Sequence, residues 1–212
     1  MRFQVLEPQF KPADAECYVV LVREGDGPDN RAELGALKKA GLDVAALCAA
    51  LNFKGEADRV AVHSPLKDGL PKRVVLVGLG KPGAGGEEAL RRAGAHAAKA
   101  VGDARDVVCA LDSRDDARRA VEAFGSGFFL ARYKFDRYLS SAKKEKKPEP
   151  RVRFAPFDAA AEEGARRGAA VADAVVDGTC FARDVGNLPG NLGTPLVLAR
   201  EAQAMAKREG IR

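Results

Sequence analysis

Two histidines, His63 and His96, are all the imidazole that this chain of 212 residues carries. A catalytic zinc centre draws on two or three nitrogen, oxygen or sulfur ligands with histidine prominent among them, so a His-rich metal site has almost nothing to be built from. His63 closes a short apolar run and His96 sits among alanines. Neither has a partner at a spacing that would place a base beside it, and both read as structural residues. The four cysteines, Cys17, Cys48, Cys109 and Cys180, are far apart, form no CxxC pair and lie in Ala- or Val-rich surroundings. Such thiols behave as small buried hydrophobes. No GxSxG elbow and no HExxH helix occurs. The acidic residues mostly alternate with Arg or Lys, the arrangement of a solvated helix face. No residue is assigned a catalytic or metal-binding role.

Two patterns remain. Gly78, Gly80 and Gly83 spell GxGxxG after an apolar run and before a helical stretch, the context in which backbone amides approach a pyrophosphate. Asp112, closing the next apolar run, would then hold a ribose, and the ligand would be a nucleotide or ADP-ribose. Against this, Pro82 removes an amide and Glu87 and Glu88 would repel phosphate, which favours a plain strand-to-helix turn. The second pattern is basic. Residues 132–153 hold nine basic side chains against three acidic ones, a local charge of +6 in a chain whose total is +5. Tyr133, Phe135 and Tyr138 interleave with these charges, and Lys143, Lys144, Lys146, Lys147 and Arg151 are the candidates for gripping DNA or RNA phosphates. The competing reading, in which the aromatics anchor a helix end and the lysines solvate a loop, is favoured.

The elements that must position these residues follow from periodicity. The chain is 46% hydrophobic and 31% charged, and a chain this long buries roughly 70% of its unfolded surface without a disulfide or metal framework. Residues 2–6 alternate and 17–22 are almost wholly apolar, giving two strands. A helical pattern over 32–51 is broken near Gly41 and Asp43. Residues 60–62 and 74–77 form two more strands, as a hairpin. A helix spans 87–101 with Leu90, Ala93, Ala97 and Val101 on its inner face, and a strand covers 106–111. Ser113 with Asp116 resembles a capping box for a helix whose stripe is Ala117, Val121, Phe124, Phe128 and Ala131. An edge strand at 151–155 precedes a helix from Asp158 to about Arg183, with Ala161, Ala165, Gly168, Ala172, Val175 and Thr179 inward. Thr194 and Pro195 open a last helix ending near Gly210, and Ile211 and Arg212 look like the start of a strand. Strands alternating with helices predict an α/β fold, a mixed sheet with helices on both faces. No apolar stretch approaches the ~18 residues of a membrane helix, so a soluble, cytoplasmic protein with no membrane partner is expected.

Three segments carry a family resemblance. Residues 132–138 (RYKFDRY) resemble the YxFDxY stretch of the leucyl aminopeptidases, the cytosol aminopeptidase family. Residues 74–81 (VVLVGLGK) resemble that family's first-domain strand, and residues 181–195 (FARDVGNLPGNLGTP) are similar to its interdomain segment, of the type ARDLxNxPxNxxTP. Gly186, Leu188 and Gly193 depart from the last pattern. The resemblance implies a macro-domain-like N-terminal domain over 1–157, a linker helix and loop over 158–193, and over 194–212 the first helix of a truncated catalytic domain. It implies that two divalent metals, zinc, manganese or magnesium, act in that second domain, within motifs of the kind VGKGxxFDxGG and NTDAEGRL. Neither occurs here. The expected role is that of a non-catalytic domain serving assembly and active-site access in a hexameric, peptide-cleaving parent enzyme, with the catalytic domain of the same chain as partner.

Overall fold

Residues 17–23 are apolar almost without interruption because they lie at the centre of a sheet covered on both sides. The computed structural model describes residues 2–6, 15–25, 34–112, 115–140, 149–156 and 158–211. Its elements are β1 (Phe3–Val5), β2 (Cys17–Arg23), α1 (Gly35–Lys39), α2 (Val44–Ala50), β3 (Val60–His63), β4 (Arg73–Gly80), α3 (Gly86–Ala100), β5 (Asp106–Ala110), α4 (Ala117–Leu130), β6 (Arg151–Ala155), α5 (Ala159–Gly186) and α6 (Pro195–Glu209). The strand order is β1-β6-β5-β2-β4-β3. Every pairing is parallel except the β3–β4 hairpin, so the sheet is mixed, as expected.

Alternation along β2 sorts the core. Cys17, Val19 and Leu21 face one layer, built with Val75, Val77, Val107 and Phe154 under α3, α4 and α5. Tyr18, Val20 and Val22 face the other, with Leu37 of α1 and Val44, Leu47 and Cys48 of α2. The three-helix layer is unusually close. A Cβ on Gly94 of α3 would run into the Phe124 carbonyl of α4, one on Gly127 of α4 into the Arg91 carbonyl of α3, and one on Gly168 of α5 into the Arg118 carbonyl of α4. Backbone meets backbone at these crossings. The bulk comes from a ring cluster: Phe3 meets Phe129 edge-on at 5.1 Å and Phe124 meets Phe154 at 6.0 Å.

Four expectations are corrected. β6 is not an edge strand: β1 pairs along its outer side, and Val152 and Phe154 are fully buried. α4 is capped by Asp116 itself, whose carboxylate accepts from the Arg119 amide at 3.0 Å, and its last stripe residue, Ala131, is an exposed C-cap; Ser113 lies outside the described residues. On α5 the buried line is Ala161, Ala165, Gly168, Ala172 and Val176, while Val175 is exposed. A 3.5-residue pattern drifts off the face of a 3.6-residue helix over its length, which accounts for the slip. Ile211 begins no strand; its amide closes the α6 C-terminus on the Ala206 carbonyl at 2.8 Å, past the left-handed Gly210.

Candidate functional site

Two of the three segments singled out in the sequence meet in space. α4 ends at Leu130, and the chain turns under the C-terminal end of α5, where Tyr133 Oη donates to Asp184 Oδ1 at 2.7 Å and accepts from Asn187 Nδ2 at 3.4 Å. Asn187 is the C-cap of α5, and its side-chain amide also donates to the Arg183 carbonyl at 2.8 Å. Arg183 lies over the Tyr133 ring, 5.4 Å from its centre, and donates to the Leu130 carbonyl at 3.0 Å, satisfying the end of α4. Partial burial, followed by the bond to Asp184, pushes the Tyr133 phenol above its ordinary pKa. It is therefore a neutral donor to a carboxylate, one of the stronger kinds of hydrogen bond. Four residues farther on, Arg137 reaches α6 and pairs with Glu201 Oε1 at 3.1 Å. Phe135 and Tyr138 meet edge-on at 5.8 Å. The arrangement has the chemistry of a joint: it ties the end of α4 to the end of α5 and reaches α6 through Arg137.

The glycine motif is used differently from a dinucleotide fingerprint. The side-chain space of Gly78 is taken by the chain's own Glu56 carbonyl, and Gly78 and Gly80 donate to the carbonyls of Arg59 and Gly55 at 2.8 and 2.9 Å. Those two glycines let the 55–59 loop lie against β4. Gly83 sits with open space at φ 76° in the turn before α3. A crevice of about 440 Å³ runs beside this turn at the C-terminal ends of the strands, the usual ligand position of such sheets. Two of its cations are paired within it: Arg23 with Asp115 at 2.5 Å and Arg119 with Glu87 at 3.3 Å. Asp112 is 2% exposed, too buried to reach a ribose.

Of the basic tract, most of the described residues are engaged within the fold. Lys143, Lys144, Lys146 and Lys147 lie outside the described residues. Arg151 is exposed on β6, but Arg153 is engaged with Asp106 through two nitrogens at 2.7 and 2.5 Å, and Arg132 donates to the Ala98 carbonyl at 3.2 Å. The Tyr133 ring, one of the three aromatics of the tract, is covered by Arg183.

His96 gains a neighbour that spacing did not show. Asp58, in left-handed backbone at φ 64°, places Oδ1 3.3 Å from His96 Nε2 and also pairs with Arg92. Desolvation, then Lys99 and Arg92, lowers the His96 pKa. Burial pushes the Cys17 thiol up to about 12. Among the described residues no group of three or more His, Cys, Asp or Glu side chains is placed to hold a metal ion. No described helix is long and apolar enough to cross a membrane.

The sequence pattern of the cytosol aminopeptidase family, N-terminal domain, matches residues 19–142. A probable cytosol aminopeptidase of Aquifex aeolicus is 31% identical over 215 residues, which cover 100% of this chain and 41% of the relative. Among solved structures, the bottromycin maturation enzyme BotP in complex with Mn superposes with a TM-score of 0.68 at 25% identity, over 92% of this chain and 37% of that one. A mutant tomato leucine aminopeptidase gives a TM-score of 0.72 at 20% identity, over 97% and 42% of the two chains, a likeness of fold. The chain thus spans about 40% of the length of these relatives. Its sheet, its matched residues and this extent agree, and the chain belongs to the cytosol aminopeptidase family through that family's N-terminal domain.

Proposed function

We propose that these residues are the non-catalytic N-terminal part of a metal-dependent leucyl aminopeptidase of the cytoplasm, serving assembly and access to the active sites. The observation that carries the reading is the full-length match of this chain to 41% of a probable cytosol aminopeptidase. In this reading residues 1–157 are the domain, 158–193 the linker, and 194–212 the opening helix of the catalytic domain. Zinc, manganese or magnesium would act outside the present residues. Peptide substrates and hexamer formation belong to the longer protein.

The experiment is a peptidase assay of the purified chain on leucyl p-nitroanilide with added manganese. No turnover above buffer is expected, and turnover that copurifies with the chain and survives repurification would overturn the inactivity. The reading frame downstream of Arg212 supplies the complementary test. Motifs of the kind VGKGxxFDxGG and NTDAEGRL are expected there, and a frame without metal-ligand motifs refutes the parent activity.

A further inference from the structure

Three Asp-Gly pairs occur in the sequence, Asp26–Gly27, Asp68–Gly69 and Asp177–Gly178. An aspartate followed by glycine is the arrangement least hindered for attack on the side chain by the next amide, because no Cβ stands beside the closing ring. The first pair lies outside the described residues, and the fold treats the other two in opposite ways. From that contrast we infer that Asp68 is a site of spontaneous isomerisation to isoaspartate and that Asp177 is protected from it.

Asp68 and Gly69 are the central residues of a turn between β3 and β4, closed by the Leu70 amide on the Lys67 carbonyl at 3.4 Å. Gly69 stands at φ 84°, the left-handed conformation that such a turn asks of its third residue. Both residues are exposed, and nothing beyond its chain neighbours lies within 4 Å of where a Gly69 side chain would stand. Among the described residues none hydrogen-bonds the Gly69 amide or the Asp68 carboxylate. The amide nitrogen is free to attack Asp68 Cγ. An N–Cγ bond forms, a Cγ–O bond breaks, and the departing oxygen leaves as water with the carboxyl proton and the amide proton. Water then opens the succinimide. Addition at Cγ restores aspartate, whereas addition at the main-chain carbonyl carbon gives isoaspartate, with the chain running through the side-chain carbon and the α-carboxylate freed. That carboxylate is the group that isoaspartyl methyltransferases esterify with S-adenosylmethionine, so the modified chain becomes a substrate for such an enzyme. The flanks of the turn are held, Lys67 lying across Gly41 and Leu70 packing on the second core layer, so the extra main-chain carbon falls between two fixed points. Asp177 has none of this freedom. It sits inside α5, where the Gly178 amide is an intrahelical donor, and its carboxylate accepts from Arg2 at 2.6 Å.

The test incubates the native 212-residue chain over weeks in near-neutral buffer at physiological temperature. Peptides are then mapped by mass spectrometry, with a protease that cuts before aspartate and not before isoaspartate, and by methyl transfer from labelled S-adenosylmethionine with an isoaspartyl methyltransferase. Signals are read peptide by peptide, which keeps Asp26–Gly27 separate. Cleavage before Asp68 is expected to be lost progressively, with an isomeric peptide of unchanged mass and methyl uptake in its place. At Asp177 the reaction is expected to be slower by about ten-fold or more, since it waits for local opening of α5. Unfolding in urea is expected to bring the two rates together. Asp68→Glu, at an exposed position, is expected to abolish methyl uptake in that peptide, because the larger ring closes far more slowly. An Asp68 that stays aspartate in the native chain, or isomerises no faster than Asp177, overturns the proposal, as does methyl uptake that survives Asp68→Glu. The inference does not rest on the peptidase reading, which keeps its own assay.

Discussion

Tyr133 shows how one hydroxyl turns two separated sequence motifs into one joint. Tyr133→Phe keeps the ring under Arg183 and removes the donor to Asp184 together with the longer bond accepted from Asn187. The site is partly exposed, so a loss of about 1 kcal/mol is expected, that of an ordinary hydrogen bond and below the ~1.5–3 kcal/mol of a buried bond to a charged group. The midpoint of urea unfolding measures it, and an unchanged midpoint would mean water replaces the hydroxyl without loss. The pH dependence has a definite sign. The folded phenol has a raised pKa, so its contribution is complete below the unfolded value near 10 and disappears as pH rises through the folded one. Tyr133→Phe should therefore narrow its deficit above that range. Cys17 offers a second expectation: fully buried and pushed up to about 12, it should resist iodoacetamide at pH 8 in the native chain and react only after unfolding. Of the joint, Tyr133, Arg183, Asp184 and Asn187 lay inside motifs already singled out. Glu201 carried no signal, because an exposed glutamate on an amphipathic helix looks like every other. Asp58 was hidden for a different reason, since only the folded loop brings it beside His96.

At the level of elements, glycines separate packing from mere composition. Gly127→Ala would drive a Cβ into the Arg91 carbonyl and force α3 and α4 apart. Overpacking of this kind costs about 1–3 kcal/mol, and with rigid backbone on both sides the upper end is expected. Gly178 lies on the same kind of helix, exposed and with nothing around its absent side chain. Gly178→Ala should stabilise the chain by about 0.5–1 kcal/mol through helix propensity alone. Paired thermal unfolding of the two variants checks both signs, and equal effects would contradict the close crossing of α3 and α4. The strands and helices themselves were legible because each keeps one period over its length. Position within the sheet was not. Nothing local in residues 151–155 tells that β1, from the other end of the chain, will pair outside them. Likewise the GxGxxG spacing is the same whether the glycines admit a phosphate or, as with Gly78, the carbonyl of Glu56.

For the molecule as a whole, the core and the terminal helix should be energetically separate. The two hydrophobic layers are complete without α6: their members end at Val176, with Cys180 packed at the margin. α6 buries no residue fully: Val197, Glu201 and Met205 on one of its sides are half-buried, and Arg137 pairs with Glu201. A chain ending at Gly193 should therefore unfold with the same denaturant midpoint as the full 212 residues, within about 0.5 kcal/mol, the range of surface changes. The slope of the unfolding free energy against urea follows the surface exposed on unfolding and should change little, because an isolated 15-residue helix has almost no tertiary surface to expose. A midpoint that drops clearly on truncation would mean that α6 packs on the body in solution.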